Sequence, residues 1–338
     1  MIAVIVWLTC FSFLRTSYND TATYILHFQE SESIAAFFAR GGLLDWTGNP
    51  LSELYRDIIR SITENYHIYF LFPALLSSFA VVKLFKKYSV SPAFSLLIFF
   101  SIGTYVMYIA ALKQCLAMFF LLMAIPYAEE RKYVRFYLLV GIAILFHTHA
   151  FMFAVLPFLF RKPWGIYTWV LLGASLFAIA TYDMTLGAFM SFAQSIGLLV
   201  ADIEVFDDHQ VNILRVLVYW VPTLLALVFR RRLFQNSTRT ENLFANMSIL
   251  SAFILTIGLR EGANLFARMA AYFEIATAVT LPWMIRKLFT KQSERLVIVF
   301  ASILYFVYFL YEFAVSKGFG INYRAISLWQ FITSLFGG

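Results

Sequence analysis

The sequence RKYVRFYLLVGIAILFHTHAFMFAVLPFLFRK, residues 131–162, decides the fold. It is an apolar run with basic residues at both ends and two histidines, His147 and His149, near its middle. A run of about 20 apolar residues crosses a bilayer, because the hydrocarbon core is ~30 Å thick and a helix rises ~1.5 Å per residue. Basic residues collect on the cytoplasmic side, so a single crossing would misplace one end. We therefore predict that the segment breaks near His147 into two short half-helices.

The rest of the chain is equally apolar. Of its 338 residues, 61% are hydrophobic and 13% are charged, roughly half the ~25% charged share of a soluble domain. Backbone groups in lipid must be bonded within their own segment, and no series of ~10-residue alternating strands is present. We predict an all-α, polytopic integral membrane helical bundle of about 10–12 membrane segments, some short or broken, with surface amphipathic helices. The predicted apolar segments are 1–14, 67–84, 92–111, 114–128, 135–160, 165–182, 213–229, 244–259, 267–288, 295–313 and 325–336.

The basic residues predict the orientation. Sixteen of the 26 Lys and Arg residues form five clusters between apolar runs, around positions 83–87, 131–135, 161–162, 230–239 and 286–295. The net charge of +7 therefore indicates the positive-inside pattern of a multi-pass membrane protein, and not a nucleic-acid partner. If 131–162 crossed the membrane once, 11 basic residues would lie on the cytoplasmic side, whereas a broken segment places 16 there. The positive-inside rule therefore favours the break. The ten other cations fall on the outer side or within the membrane: Arg15, Arg40, Arg56, Arg60, Lys113, Arg215, Arg260, Arg268, Lys317 and Arg324.

We expect residues 1–338 to form one membrane domain, because no repeat, low-complexity tract or separate soluble segment interrupts them. Two long loops, 15–66 and 183–212, are predicted on the outer face. The first contains SESIAAFFARGGLLDW, residues 31–46, which predicts a Ser-capped amphipathic helix lying on the surface.

Charged and polar residues near apolar segments are the candidate functional residues, since a charge at a helix centre costs about 2.5–3.5 kcal/mol on insertion scales. His147 can take a proton from a hydroxyl near neutral pH, or it can hydrogen-bond across helices structurally. Lys113, followed by Gln114, lies between two apolar runs, where a snorkelling lysine is the alternative. Arg15 and Asp20 follow the first span and could also be a plain loop ion pair.

The segment GLREGANLFARMAAYF, residues 258–273, carries a polar stripe if it is helical. Its members are spaced i, i+4, i+8 and i+12: Arg260, Asn264, Arg268 and Tyr272. The planar guanidinium fork matches phosphate oxygens, so two arginines suit an anionic headgroup such as diphosphate. The structural alternative is a pair of salt bridges to Glu261 or Glu274.

The sequence predicts no metal and no cofactor. Cys10 and Cys115 lie in or beside apolar segments without metal-ligand spacing. No Gly-rich phosphate loop, Ser-His-Asp ordering or carboxylate cluster of recognisable spacing is present. Chemistry driven by cytoplasmic nucleotides is therefore not expected.

The chain resembles the EpsG family of bacterial polysaccharide polymerases, relatives in role of the Wzy O-antigen polymerases. The matching residues near the N-terminus are Arg15, Asp20, Tyr24 and Phe28. The matching central elements are Lys113-Gln114, the basic loop EERKYVRF, and Phe146-His147-Thr148-His149-Ala150. The late element is Arg268, Tyr272 and Phe273. The chain departs from the family at Lys113, where Arg is usual, and at His149, where Ser is common.

The resemblance implies a glycosyltransferase on the outer face of the inner membrane, facing the periplasm or the cell exterior. Such an enzyme joins oligosaccharide units linked to undecaprenyl diphosphate, without nucleotide sugar or obligatory metal. We predict His147 and Asp20 as catalytic, and we predict that the substrate diphosphate or glycan is held by Arg15, Lys113, Gln114, Arg260, Asn264, Arg268 and Tyr272. Membrane lipid and a chain-length regulator protein are further candidate partners.

Three other function classes stay open. One is a purely structural membrane subunit, although such a protein would not need ten basic residues away from the cytoplasm. A membrane O-acyltransferase that modifies surface glycan also uses a membrane histidine, but the acyltransferase families of similar length carry Arg and His in the first helix, where this chain has neither before Arg15. A lipid-linked glycan flippase or transporter should contain two related halves, and none is detectable.

Overall fold

The structure, a computed structural model, describes residues 1–45, 48–195, 210–260, 263–316 and 322–336. Its first half contains α1 (Ile2–Phe13), β1 (Arg15–Ser17), α2 (Thr21–Gln29), α3 (Ile34–Ala39), α4 (Pro50–Ile62), α5 (Tyr66–Tyr88), α6 (Pro92–Ser101), α7 (Thr104–Ala110), α8 (Leu112–Glu129) and α9 (Tyr133–Phe146). A 3₁₀ helix (Thr148–Phe160) follows, then α10 (Ile166–Ala180), α11 (Tyr182–Ser195), α12 (Ile213–Val228), α13 (Arg230–Phe234), α14 (Arg239–Ile257), α15 (Ala263–Leu288), α16 (Lys291–Phe309), a π-helical turn (Leu310–Ser316), β2 (Arg324–Ala325) and α17 (Leu328–Ser334).

Four helices in the described part are long and apolar enough to cross a membrane: α5, α8, α14 and α16 continued to Phe313. The pair α6 and α7, bent by 60°, is a fifth candidate, and five shorter apolar helices of 10–17 residues accompany these. The predicted fold class, an all-α polytopic membrane bundle with short and broken helices, is confirmed. The exact number of crossings stays a prediction, and α17 with its seven residues is too short to span alone.

The bundle has a clear centre and edge. The apolar window of α14 is 72% buried within the protein, whereas that of α16 is only 22% buried. A helix that is apolar but exposed within the protein must find its apolar contacts in lipid. We therefore place α14, which packs on α15, at the centre and α16 at the lipid-facing edge.

The chain reverses at His147, as the sequence predicts. Helix α9 ends at Phe146, and His147 is extended with φ −154° and ψ 113°. The hydroxyl of Tyr137, near the start of α9, donates to the carbonyl of Ala154 at 3.4 Å. In a straight rod these two residues would be more than ~25 Å apart, given a rise of at least ~1.5 Å per residue. The 3₁₀ helix therefore folds back along α9, and the predicted break is confirmed.

Helix α4 supplies hydrogen bonds that the reversal needs. The hydroxyl of Ser52 donates to the Phe146 carbonyl at 2.7 Å, at the end of α9. The side-chain oxygen of Asn49 accepts from both the backbone N–H (2.9 Å) and the hydroxyl (3.0 Å) of Thr148. Non-helical backbone at membrane depth is tolerated only where protein or water satisfies its polar groups. Asn49 and Ser52, about 95 residues earlier in the chain, therefore satisfy the backbone polar groups at the reversal.

The basic clusters lie at one end of the bundle. Lys87 pairs with Glu129 at 3.1 Å, and Thr240 donates to the same carboxylate at 2.5 Å. The guanidinium of Arg239, next to Thr240, lies 4.8 Å from the ring centre of Phe160. The ends of α5, α8, the 3₁₀ helix and the start of α14 therefore meet there.

The remaining clusters join the same end. Lys162 and Arg230 line one surface pocket. The indole of Trp283 donates to Glu241 at 2.6 Å, and Lys287 lies 5.1 Å from the Trp283 ring centre. Grouping of all five clusters agrees with the positive-inside pattern. Which side of the membrane this end faces stays a prediction.

The two predicted outer loops contain helices. The hydroxyl of Ser33 caps α3 by accepting from the Ala36 backbone N–H at 3.1 Å, so the predicted Ser-capped helix is confirmed. The second loop, 183–212, begins within α11, and its residues 196–209 lie outside the described part of the chain. The placement of both loops on the outer face, and the single domain, stay predictions.

Candidate functional site

His147 meets Tyr272 at the point where the chain reverses. Its Nδ1 lies 2.5 Å from the Tyr272 hydroxyl, and both side chains are buried. The ring of His149 is centred 5.1 Å from that of His147. Because His147 is extended and not helical, the two histidines two residues apart lie close together at the reversal. The contact joins the α9 reversal to the middle of α15.

Arg268, one turn before Tyr272 on α15, gathers two other elements. Its guanidinium Nη2 lies 3.7 Å from a carboxylate oxygen of Asp20, at the start of α2. Its backbone carbonyl accepts from the side-chain amide of Gln114 at 3.0 Å, in the first turn of α8. The buried side-chain oxygen of Gln114 has no hydrogen-bond partner in the described part of the chain. Residues distant in sequence thus converge on one face of α15.

Tyr24 and Lys113 complete this group. The phenol of Tyr24 lies against the backbone of Lys113 and within electrostatic range of Asp20 and Arg268. Burial raises the pKa of Tyr24 to about 12, so the phenol is neutral at physiological pH. Lys113 and Arg268 both act electrostatically on the His147 imidazole. The group therefore contains an imidazole near two cations, one of which, Arg268, pairs with the Asp20 carboxylate.

Arg15 lies behind the group and is 2% exposed. Its guanidinium stacks 4.1 Å from the ring centre of Phe70 and donates to the Ser12 carbonyl (2.6 Å) and the Thr21 hydroxyl (3.1 Å). The alternative of a plain loop ion pair with Asp20 is wrong, because Asp20 pairs with Arg268. Arg15 instead ties the end of α1 to the first turn of α2, the turn that Asp20 precedes.

The polar stripe of residues 260–272 is only partly helical. Arg260 is exposed in the turn that follows α14, and α15 begins at Ala263, so Arg260 does not share the helical face of Arg268. The side chain of Asn264 lies outside the described part of the chain. Of the two carboxylates in the structural alternative, Glu261 lies outside the described part of the chain and Glu274 pairs with Arg215 at 3.2 Å, while Arg268 pairs with Asp20.

Two features of this region were missed by sequence reasoning. Asn49, the residue before α4, and Ser52, in the first turn of α4, hold the reversal, and no local signal links them to His147. The buried pair of Arg215 and Glu274 was also missed, although Arg215 stands out as a cation in an apolar run. Among the described residues, no group of three His, Cys, Asp or Glu side chains could hold a metal ion.

The fold and the buried polar group define a polytopic α-helical membrane protein with a candidate site at a broken helix. The chain matches the EpsG family over residues 1–327 and belongs to that family. No curated protein and no solved structure matches it. Membership supports a polysaccharide-polymerase-like function of the glycosyltransferase type in general.

Proposed function

We propose that this protein joins oligosaccharide units carried on undecaprenyl diphosphate, by glycosyl transfer on the outer face of the inner membrane. The observation that carries the proposal is the buried His147–Tyr272 contact within electrostatic range of Lys113 and Arg268. Family membership supports the polymerase class. The lipid-linked substrate and the outward facing of the site are what the resemblance to the family implies.

The reaction needs a base and an anion site. The acceptor hydroxyl oxygen forms a bond to the anomeric carbon of the donor sugar, and the bond from that carbon to the phosphate oxygen breaks. The electron pair leaves with the lipid diphosphate, and the hydroxyl proton passes to the base. Preorganised cations in a site of low dielectric stabilise the negative charge that develops on the leaving group.

His147 is the proposed base. We assign the proton of its imidazole to Nδ1, which then donates to the Tyr272 oxygen and leaves Nε2 free to accept. Holding one ring nitrogen by a hydrogen bond fixes both the tautomer and the ring orientation. Asp20 is the second candidate for proton transfer, because its carboxylate is 39% exposed and faces Arg268.

Arg268 and Lys113 are the proposed diphosphate ligands. Arg268 is partly exposed, so its fork can reach a bound anion while its Asp20 contact is loose at 3.7 Å. Gln114 and Tyr272 orient this wall of the site. Arg15 contributes positive charge from behind and keeps α2 in place, whereas Arg260, exposed in a turn, is not assigned to the anion site.

The deciding experiment is deletion of the gene in its host and return of single variants. We expect the deletion strain to carry single repeat units in place of the surface-glycan ladder. The wild-type gene should restore the ladder, and so should His27→Ala, whose histidine is exposed on α2, whereas His147→Ala should not. Near-normal polymer lengths with a correctly expressed His147→Ala variant would remove His147 from the mechanism. An intact ladder with altered acetylation would favour the acyltransferase, and lipid-linked units accumulating on the cytoplasmic face would favour the flippase.

A further inference from the structure

A polar pocket lies beside the candidate site. It has a volume of about 320 Å³ and is lined by Tyr18, Asn19, Met107, Arg215 and Asn322, among others. Asn19 directly precedes Asp20, so the pocket is one residue away from the carboxylate that pairs with Arg268. None of the pocket's polar side chains belongs to the His147 group.

The pocket lies at the bend between α6 and α7, and Gly103 at that bend is one of its lining residues. The two halves meet at 60°, and Gly103 at the bend has φ +87°. A Cβ there would lie 2.7 Å from the Phe313 ring, so only glycine fits both the backbone and the space. The hydroxyl of Tyr219 donates to the carbonyl of Ile102 at 3.1 Å and satisfies the broken end. Broken helices at membrane depth occur where they are buried in protein or line a cavity, and this one lines a pocket.

Arg215 gives the pocket unused hydrogen-bond donors. Among the residues that the structure describes, it donates one hydrogen bond, to Glu274 at 3.2 Å, of the five N–H groups that a guanidinium carries. Glu274 is fully buried and balances the charge of Arg215. The pocket therefore offers donors without a net positive charge, a character that suits hydroxyl groups better than a phosphate.

Asn19 and Asn322 complete the polar lining from the exposed side. Asn19 has φ +46°, a left-handed conformation that few residues other than glycine adopt and that asparagine tolerates best. Such strained residues cluster at binding sites. The backbone of Asn322 is held by the hydroxyl of Ser17, which donates to its carbonyl at 3.0 Å, next to the β1–β2 ribbon. The first and last segments of the chain thus close the pocket together.

We propose that this pocket binds one uncharged sugar residue of the glycan substrate and selects which sugar is presented beside Asp20. Amide groups, a guanidinium and the Tyr18 hydroxyl supply both donors and acceptors, as sugar hydroxyls require. The volume is at the lower end of the ~300–1,000 Å³ typical of small-molecule pockets, which fits one sugar better than a whole repeat unit. This inference rests on the proposed function, because it names a subsite for the same substrate.

The test uses repeat-unit oligosaccharides released from the host's own surface glycan, without lipid. Purified full-length protein in nanodiscs is titrated with them, and binding is followed by saturation-transfer NMR. We expect wild type to bind, Met107→Trp to bind about tenfold or more weakly because the indole fills the pocket, and Asn322→Ala to be weakened less. The matched control is Met184→Trp, at a methionine that is 63% exposed on α11, and its affinity should equal that of wild type.

Chain growth from lipid-linked units in proteoliposomes separates this inference from the proposed function. If wild type binds the oligosaccharide, the two pocket variants bind it more weakly, and no polymer forms, the subsite is supported and the polymerase proposal is refuted. The subsite would be overturned if wild type forms polymer but does not bind the oligosaccharide. It would also be overturned if Met107→Trp and Asn322→Ala bind the oligosaccharide as tightly as wild type does. Asn322→Ala removes one exposed amide and provides a result even where Met107→Trp fails to fold.

Discussion

Replacing Tyr272 with Phe removes one oxygen from the centre of the candidate site. The lost hydroxyl lies 2.5 Å from His147 Nδ1, and both groups are buried from water. A buried donor or acceptor that loses its partner costs about 1–3 kcal/mol. Since 1.36 kcal/mol changes a rate tenfold, kcat should fall by about 5- to 150-fold when this loss is felt in the transition state.

The assay is initial chain growth from lipid-linked repeat units in proteoliposomes, with protein selected as a single peak by size exclusion. We expect kcat to fall and KM to change little, because the hydroxyl orients the base and does not carry the diphosphate. The unfolding temperature is measured in parallel so that a loss of folded protein is not counted as a loss of rate.

Tyr305→Phe is the matched control for this substitution. Tyr305 is also buried, but its hydroxyl has no hydrogen-bond partner among the described residues. The same atom is removed without breaking a hydrogen bond, so kcat should stay within about twofold of wild type. Equal rates for the Tyr272→Phe and Tyr305→Phe variants would refute the argument that Tyr272 orients the base.

Three further predictions follow from the geometry. Arg268→Lys should weaken binding of undecaprenyl diphosphate about tenfold in a titration, since a hydrogen bond to a charged group contributes about 1.5–3 kcal/mol. In the same titration Arg260→Lys, at an exposed turn, should bind as wild type does. In a variant without the two native cysteines, a cysteine is introduced at Lys132 or at Lys162. Both should react with an impermeant maleimide only after the membrane is opened. If one of them reacts from outside the intact membrane and the other does not, the reversal is contradicted. Asn49→Gly should lower the unfolding temperature and slow chain growth because it removes the acceptor of two hydrogen bonds at the reversal, whereas Asn49→Asp retains that acceptor; identical behaviour of the two variants would exclude this role.

Several site residues were predictable because they are polar residues in an apolar sequence. His147, Lys113 and Arg268 each stand out where burial of a polar or charged group needs a reason. The reversal within residues 131–162 followed from charge, because two basic clusters on one side cannot flank a single crossing, and the polar His147 near the middle indicated its place. These inferences need no knowledge of which helices are neighbours.

The contacts among these residues were not predictable from spacing. Asp20 pairs with Arg268 and not with the nearby Arg15, and Glu274 pairs with Arg215 and not with Arg268. Ion-pair partners are chosen by helix packing, which brings together residues more than 50 positions apart. The local spacing rules used for the 260–272 stripe failed at Arg260 because a turn precedes α15.

The sequence by itself determined the solvent in which this protein folds, its helical class and the position of its reversal, since hydrophobic length and the distribution of charge are properties of the chain alone. Only the tertiary structure decided what surrounds His147. The Tyr272 hydroxyl and the α4 hydrogen bonds at the reversal come from segments about 95 to 125 positions away. In a membrane interior, polar groups must find partners within the protein, and packing of distant helices selects those partners.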